Sequence, residues 1–135
     1  MKPSLQPGLE SVSRLVVTPE RTIDFMGDAL RVYATPKLLY DIEMACRDLL
    51  LPHLDAGEDS VGTRVELDHM AASLVGQEVE ITTRLAAVDG RAVTFDVSAR
   101  DSVEPICRCR HARFIVDVAK TAQRLAGKAQ KAGLA

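Results

Sequence analysis

Three side chains in this sequence carry the groups of a hydrolytic site: the hydroxyl of Thr35, the carboxylate of Glu43 and the imidazole of His69. A hydroxyl beside a base can act as a nucleophile or position a water molecule, and a carboxylate or imidazole can move the proton. Each residue also has a structural interpretation. Thr35 can be a helix N-cap, and Glu43 can pair with Arg47 one turn later. His69 can be a hydrogen-bonded core histidine at the end of a strand.

A second candidate group is formed by Cys107, Cys109 and His111, which alternate along one predicted strand. Their one-residue gaps differ from the two- to four-residue gaps usual between zinc ligands, and no fourth ligand is evident. We therefore predict no metal site. The chain has three cysteines, and Cys46 lies in the apolar stripe of a helix, so reduced thiols are expected instead of a disulfide framework.

The same strand is basic, because it also carries Arg108, Arg110 and Arg113. These arginines suit either a phosphate-bearing ligand or charge balance with the acidic face of a neighbouring strand, at Glu66 and Asp68. The sequence contains no phosphate loop, no G-x-G-x-x-G, no G-x-S-x-G and no H-E-x-x-H motif. No reaction class follows from a local motif alone.

One long helix is predicted over residues 35–51, and it must place both Thr35 and Glu43. Thr35 suits the N-cap and Pro36 the first helical position, while Pro52 ends the run. Apolar residues recur on a stripe about 140° wide, which is typical of a mostly buried helix. The stripe consists of Leu38, Leu39, Ile42, Ala45, Cys46, Leu49 and Leu50. Glu43 lies at its edge, so its carboxylate should reach the boundary of the core.

Alternating apolar and polar residues predict four consecutive strands, at residues 61–70, 79–87, 93–99 and 105–118. The inner face of the first should consist of Val61, Thr63, Val65, Leu67 and His69. Asp89-Gly90 predicts a two-residue hairpin. With a short strand at residues 13–18, the pattern indicates an antiparallel meander whose apolar face is covered by the long helix.

The remaining segments complete one domain of residues 1–135. Residues 1–13, with two prolines and a glycine, are predicted to be a loose lead-in. Residues 20–34 are partly apolar without a clear period and are interpreted as a loop or short helix that can act as a lid. Residues 119–135 form a C-terminal helical extension with a basic stripe typical of a solvated face. The stripe consists of Lys120, Arg124, Lys128 and Lys131.

Size and charge exclude several classes of function. A chain of 135 residues is one domain by length. Seventeen basic against nineteen acidic residues give a net charge of −2, which argues against a nucleic-acid binder or a polybasic membrane binder. No apolar run approaches the roughly 20 residues of a membrane span, and residues 1–4 lack the apolar segment of a signal peptide. We therefore expect a cytoplasmic protein.

Several segments resemble the fluoroacetyl-CoA thioesterase family, a branch of the hot-dog-fold acyl-CoA thioesterases. They are Pro52-His53-Leu54-Asp55, Val61-Gly62-Thr63, Leu67-Asp68-His69-Met70-Ala71-Ala72 through Gly76, Val88-Asp89-Gly90-Arg91 and His111-Ala112-Arg113-Phe114-Ile115. The resemblance covers about residues 16–116. The family's Thr and Glu, eight residues apart and followed by a His twenty-six later, match Thr35, Glu43 and His69 without a gap.

The resemblance implies an α+β hot-dog fold, in which an antiparallel sheet of about five strands wraps around one long central helix. It implies that Thr35, Glu43 and His69 are catalytic and that Gly62 and Arg113 line the acyl-thioester site. Coenzyme A is then part of the substrate, and no separate cofactor is expected. A homodimer or dimer of dimers is also implied, because this fold closes its acyl site between subunits and a single small sheet leaves its edges exposed.

Two departures from the family pattern leave the acyl group open. Cys109 stands where a glycine is expected two residues before the closing His111. In the lid-like segment, the aromatic pair expected of a fluoroacetyl-selective enzyme is replaced by Phe25, Met26 and Ala29.

The function expected is hydrolysis of a short-chain acyl-CoA thioester to the free acid and coenzyme A. In this interpretation Glu43 and Thr35 activate or replace the attacking water, and His69 assists proton transfer. Backbone donors near Gly62 then hold the developing oxyanion. Two alternatives remain: an acyl-CoA hydratase or dehydratase on the same fold, and a non-catalytic acyl-CoA-binding module.

Overall fold

The computed structural model describes residues 1–134, in which a five-stranded antiparallel sheet packs on one long helix. The strands are β1 Glu10–Val16, β2 Glu58–His69, β3 Glu78–Asp89, β4 Ala92–Arg100 and β5 Pro105–Asp117, and the helices are α1 Thr35–Leu50 and α2 Val118–Lys131. Short 3₁₀ turns occupy Pro19–Arg21, Asp28–Leu30 and Leu51–His53. The strand order is β1-β3-β4-β5-β2. The predicted α+β architecture, with its central helix and extra C-terminal helix, is confirmed.

The long helix α1 packs against the sheet through one apolar side, which exists because its apolar residues recur every three or four positions. Its buried residues are Leu38, Ile42, Ala45, Cys46, Leu49 and Leu50. They share one core with inward side chains of β3, β4 and β5: Val79, Ile81, Leu85, Val93, Phe95, Ile106 and Ile115. Each fully buried large apolar side chain contributes about 1.5–3 kcal/mol to folding. This packing fixes the helix that carries Thr35 and Glu43.

The start of α1 differs from the prediction. The helix begins at Thr35 and its N-cap is Ala34, which has no side-chain group to accept a hydrogen bond. Pro36 is therefore the second helical residue. The Thr35 hydroxyl instead makes its hydrogen bond to His69. The prediction of Thr35 as N-cap is wrong, and its hydroxyl is not committed to the helix backbone.

A β-bulge divides β2 and changes which residues face the core. The register with β5 shifts between Gly62 and Arg64, so that Thr63 has no partner in the ladder. Before the bulge Ser60 is buried and Val61 is exposed, whereas after it Val65, Leu67 and His69 are partly buried. The predicted single inner face is therefore correct only for the last three of its five residues. The extra residue places Ser60 and Gly62 on the inner side, because it reverses the alternation.

The N-terminal region is better ordered than the sequence indicates. β1 starts at Glu10, three residues before the predicted strand, and pairs with β3 as an edge strand. Leu5 is buried in the core, and the hydroxyl of Ser4 lies 2.8 Å from Nδ1 of His53. The prediction of a loose lead-in over residues 1–13 is therefore wrong. Prolines and a glycine shape this segment, but one apolar side chain anchors it.

The hairpin between β3 and β4 is confirmed, with its turn one residue later than predicted. Asp89 pairs with Ala92, so the two turn residues are Gly90 and Arg91. Gly90 has a φ of 58°, a left-handed conformation that glycine adopts without steric cost. The turn therefore needs the glycine at its first position.

The outer face of the sheet carries the predicted balance of charge. Arg108 pairs across the ladder with Asp68, and Arg110 pairs with Glu66. Arg110 also contacts Asp96 on β4, at 3.1 Å. Opposite charges on neighbouring strands stabilise the pairing and keep this face in water. Arg113 is different, since it lies on the inner face of β5.

The C-terminal helix α2 packs loosely. The Asp117 carboxylate caps it by accepting a hydrogen bond from the backbone N–H of Lys120, and none of its residues is buried. Within residues 1–134, neither α2 nor any other helix has the length and hydropathy of a membrane span.

Candidate active site

Thr35 and His69 meet at the N-terminal end of α1. Thr35 Oγ1 lies 2.8 Å from Nδ1 of His69, the last residue of β2. The hydroxyl donates this hydrogen bond when the imidazole carries its proton on Nε2. A hydroxyl in this position can pass its proton to the imidazole when it acts as a nucleophile, or it can orient a water molecule from which the imidazole takes the proton. The pair predicted from residue types is therefore present.

The surroundings of His69 favour its neutral form. Burial lowers the pKa of His69, and the nearby Ala71 backbone has a smaller, opposing effect. The ring packs edge-on against Tyr33, with ring centroids 6.4 Å apart and an angle of 82° between planes. A neutral imidazole at pH 7 can accept a proton, whereas a charged one cannot. His69 is thus suited to act as a base.

The second ring nitrogen of His69 lacks a partner. Nε2 is buried and, among residues 1–134, no group hydrogen-bonds to it. An unsatisfied buried polar atom costs about 1–3 kcal/mol, so native proteins usually supply a partner. In a site this partner is expected to come from the substrate or from a second subunit.

Glu43 lies in a different group, beside Gly62. A Cβ atom added to Gly62 would overlap Oε1 of Glu43 and would lie 3.1 Å from Cε1 of His111. Only glycine therefore lets β2 pass this close to the carboxylate. Glu43 remains about one-third exposed. The predicted pair with Arg47 is wrong, because Arg47 binds Asp59 through two hydrogen bonds of 2.9 and 2.7 Å.

Arg113 is a buried member of this second group. Its Nε and Nη2 donate to the hydroxyl and the carbonyl of Ser60, both at 2.8 Å. Its Nη1 lies 3.2 Å from His111 Nε2 and 3.8 Å from Glu43 Oε1. Burial lowers the pKa of Arg113. The ordinary pKa of an arginine lies so far above neutral pH that the side chain still keeps its charge. Arg113 therefore provides a fixed positive charge behind Glu43.

His111 links Arg113 to the β2 bulge in its neutral form. Nδ1 lies 2.9 Å from the carbonyl oxygen of Arg64, which only accepts, and Nε2 faces Arg113, which only donates. The proton is therefore on Nδ1. Burial is the main cause of a lowered pKa for His111, in agreement with this assignment. The contact of 3.7 Å with Glu43 is not an ion pair, because the imidazole is uncharged.

One protomer does not bring all the predicted residues together. Among residues 1–134, the Glu43 carboxylate approaches His111 and Arg113 within 4.0 Å, and no hydrogen bond or ion pair joins it to Thr35 or His69. Eight residues along α1 correspond to a rise of roughly 12 Å. The Thr35–His69 pair and the Glu43–Arg113 group are therefore two separated half-sites on one helix.

An open cavity of about 380 Å³ adjoins the Thr35–His69 pair. It is lined by Ile23, Phe25, Val32, Tyr33, Thr35, His69, Met70, Ala71 and Ala72. Four of these residues, Ile23, Phe25, Val32 and Tyr33, come from the segment that was predicted to be a lid. The two ends of the segment are joined, because Thr22 and Tyr33 form an antiparallel bridge. Between them the Phe25 side chain is 78% exposed.

The cysteine-rich face of β5 is part of the core. Cys107 and Cys109 are buried and free, and burial raises the pKa of Cys107 to about 12 and that of Cys109 to about 11. Both thiols are therefore protonated at neutral pH. No group of three potential metal-ligating side chains occurs in the part of the chain that the structure describes.

Three residues of the site were not predicted: Ser60, Tyr33 and the role of His111 beside Arg113. Ser60 falls on the outer face in any uninterrupted alternation of β2, so only the bulge places it inside. Tyr33 follows a segment without periodicity. His111 was visible as an inward residue, but its partner Arg64 lies 47 residues away.

Comparisons with known proteins identify the family and the fold of this chain. Residues 17–119 match the family described as fluoroacetyl-CoA-specific thioesterase. The fluoroacetyl-CoA thioesterase of Streptantibioticus cattleyicolor is 31% identical over 127 residues, which are 89% of this chain and 91% of that protein. The crystal structure of a mutant of the fluoroacetyl-CoA-specific thioesterase has a TM-score of 0.86 at 30% identity, covering 94% of this chain and 99% of that one.

Two further structures support the fold. A thioesterase superfamily member from Thermus thermophilus has a TM-score of 0.88 at 29% identity, covering 98% of this chain and 99% of that one. A hot-dog-like protein from Thermanaerovibrio acidaminovorans has a TM-score of 0.83 at 23% identity, covering 90% and 91% of the two chains. The predicted hot-dog fold and the resemblance noted in the sequence are both confirmed.

Proposed function

Because the chain belongs to the fluoroacetyl-CoA-specific thioesterase family and is an acyl-CoA thioesterase, we propose that it hydrolyses short-chain acyl-CoA through Thr35, Glu43 and His69. The observation that carries this assignment is the 2.8 Å contact of Thr35 with a His69 imidazole whose pKa is lowered by burial. A neutral imidazole is ready to take a proton from the hydroxyl or from a water molecule beside it.

The reaction adds water across the bond between the acyl carbon and sulfur. Thr35, or a water molecule held by Thr35 and Glu43, attacks the carbonyl carbon, and the proton passes to His69 or Glu43. The carbonyl oxygen becomes an oxyanion, which backbone N–H groups near Gly62 stabilise. The C–S bond then breaks and the thiolate of coenzyme A takes up the proton. After attack by water the acid leaves directly, whereas after attack by Thr35 a water molecule must first hydrolyse the acyl ester on Thr35. No metal or cofactor enters these steps.

The working unit we propose is a homodimer, alone or within a dimer of dimers. β2 is an edge strand of twelve residues, so a second copy can extend the sheet along it. Antiparallel pairing of two β2 strands about a two-fold axis places the first half of one strand opposite the second half of the other. Gly62 lies in the first half and His69 ends the second. Glu43 and Arg113 of one subunit then face Thr35 and His69 of its partner.

The acyl group we propose is short, since the relative that is 31% identical is a fluoroacetyl-CoA thioesterase, whose acyl group is small. Phe25 and Met26 are exposed apolar residues of the lid-like segment. We place the reaction in the cytoplasm, a reducing compartment, because all three cysteines are buried free thiols.

Subunit complementation tests the function and the shared site together. Chains carrying Thr35→Ala and Glu43→Gln are co-expressed with two different C-terminal tags, and the heterodimer is purified. Thiol release from a panel of short acyl-CoAs is measured. In a shared site one of the two sites recovers its full set of groups, so the heterodimer should reach about half of wild-type turnover while each homodimer is nearly inactive.

The matched control combines Thr35→Ala with His69→Ala, two changes in the same half-site. This heterodimer has no complete site and should remain inactive. Absence of recovery in the first pair, or equal recovery in both, would contradict a site shared between subunits. A wild-type protein that releases no thiol from any acyl-CoA in the panel would contradict hydrolysis itself.

A further inference from the structure

A second cavity lies on the outer side of the sheet, where α2 leaves β5. It has a volume of about 190 Å³, and its lining includes Arg91, Phe114, Asp117, Lys120, Thr121 and Arg124. We propose that this cavity binds the phosphorylated nucleotide end of coenzyme A. The proposal rests on the acyl-CoA substrate proposed above.

The charge of this cavity suits a phosphate group. Among residues 1–134, neither Lys120 nor Arg124 has a carboxylate within 4.0 Å, although the chain as a whole has a net charge of −2. Arg91 is partly neutralised, because its Nη1 lies 3.2 Å from Glu58. The Asp117 carboxylate is occupied as the cap of α2. Two cations one helical turn apart therefore remain available to bind phosphate oxygens.

An aromatic ring beside these cations suits the base of a nucleotide. Phe114 is 43% exposed on the outer face of β5, in a chain with only three phenylalanines. An exposed ring has no role in the core, whereas stacking of a base on an aromatic side chain contributes about 1–3 kcal/mol in nucleic-acid complexes. The cavity thus combines the two features by which adenosine phosphates are bound.

The cavity is close to the proposed acyl site. Phe114 directly follows Arg113 in β5, and the two side chains point to opposite faces of the sheet. Phe114 also pairs with Val61, next to Gly62 on the edge strand β2. In the proposed dimer the partner's Thr35 and His69 approach this edge. A substrate can therefore place its thioester on the inner side of the edge and its nucleotide on the outer side.

A comparison of two substrates tests the cavity. Acyl-CoA and acyl-pantetheine share the thioester, but acyl-pantetheine lacks the nucleotide. In the double variant Lys120→Gln/Arg124→Gln, the ratio of KM for acyl-CoA to KM for acyl-pantetheine should rise on the order of tenfold or more, because charge-assisted bonds to phosphate are lost. The affinity for free coenzyme A, measured by calorimetry, should fall by a similar factor.

The control is Lys128→Gln/Lys131→Gln, which removes the same charge from the same helix outside the cavity. This variant should leave the KM ratio unchanged. An equal rise in both variants would show a general electrostatic effect, and an unchanged ratio in the first would remove the cavity from the substrate site. Wild-type turnover of acyl-CoA tests the acyl site separately. If it is absent, hydrolysis fails, while calorimetry with coenzyme A still decides the cavity.

Discussion

At the residue scale, Gly62 is the position of the proposed site where there is least space for a side chain. A methyl group there overlaps the end of the Glu43 side chain, which can rotate away, and lies 3.1 Å from Cε1 of the buried His111, so the fold should tolerate the change after a small shift of that ring. We expect Gly62→Ala to lower kcat on the order of 100-fold while unfolding stays within about 1 kcal/mol of wild type. Turnover and urea denaturation measure the two effects. Combining it with Glu43→Gln should add little further loss, and full additivity would contradict the mechanism.

A substitution of Thr35 can test its catalytic role without disturbing a helix cap. Because Ala34 is the N-cap, loss of the Thr35 hydroxyl removes no cap, and Thr35→Ala should change stability by less than about 1 kcal/mol. Its kcat/KM for acyl-CoA should fall on the order of 100-fold or more, and Thr35→Ser should keep substantial activity. A folded Thr35→Ala protein with turnover within about twofold of wild type would leave the chemistry to Glu43 and His69.

Two buried histidines should make stability depend on pH. The pKa values of His69 and His111 are lowered by burial, so below pH 6.5 the unfolded chain binds protons that the folded chain does not. The stabilising contribution is complete above the unfolded pKa of about 6.5 and is lost as the pH falls towards the lowered folded values. Unfolding free energy measured by urea between pH 7.5 and 5 should therefore decrease on acidification. His111→Gln should reduce this slope, and an unchanged slope would exclude His111 as a contributor.

Residue types singled out the candidate catalytic groups but not the partners of the surrounding residues. The hydroxyl, carboxylate and imidazole were recognisable because few other residues on predicted inner faces can move a proton. The partner of Arg47 was not, since Asp59 lies on β2 and only tertiary folding brings it close. The cap of α1 was misassigned because Thr-Pro is a strong start signal, whereas the hydroxyl finds a better acceptor on His69.

At the scale of elements, one buried network holds the lid-like segment against α1. The Tyr33 hydroxyl donates to Asp41, which also accepts from Arg21 Nε at 3.2 Å. Burial and the neighbouring Asp41 raise the pKa of Tyr33, so its hydroxyl remains a donor. Both ends of the segment are thereby attached to the same carboxylate. The Tyr33 ring also packs against His69, which connects the segment to the proposed base.

Removal of the Tyr33 hydroxyl should loosen this attachment. Tyr33→Phe keeps the ring beside His69 but loses a hydrogen bond to a charged group, and we expect a loss of about 1.5–3 kcal/mol in unfolding free energy. Proteolysis should become faster between residues 22 and 33, and denaturation in urea gives the magnitude. Tyr40→Phe, which alters an exposed tyrosine of α1, is the matched control. Equal stability of the two variants would exclude the network as an anchor.

The elements themselves were predictable to different degrees. α1, β3, β4 and β5 have long regular patterns, because each element buries one side and exposes the other. The bulge in β2 leaves no such trace, since an extra residue in a strand looks like a continuation of the alternation until its partner strand is known. The start of β1 was missed because an exposed edge strand with one partner needs little hydrophobic periodicity.

At the scale of the whole molecule, the two edges of the sheet differ. β1 is short, with seven residues, whereas β2 has twelve and carries Gly62 and His69. A long edge strand has unpaired backbone N–H and C=O groups that can bond to a second copy of the chain. In the proposed dimer this pairing also completes the site, because the two half-sites lie along β2. The edge of β2 is therefore the expected interface.

Light scattering should give a mass of about twice 14.7 kDa, or about four times for a dimer of dimers. Val61→Lys, which adds a charge to the β2 edge, should shift the protein towards the monomer and lower activity in parallel. Val12→Lys on β1 is the control, because Val12 and Val61 are similarly exposed, at 51% and 47%. A wild-type monomer with full activity, or equal dissociation of both variants, would contradict the interface.

The bulge also sets where this chain tolerates a change of length. Thr63 has no partner in the ladder, so a chain lacking it keeps Ser60, Gly62 and His69 on the inner side of a straight strand. A deletion at Glu66 offers no such solution: retaining the bulge turns His69 outward, and losing it buries Arg64. Deletions in β2 should therefore be accepted at the bulge and rejected beyond it. A relative one residue shorter in this strand can keep the same site.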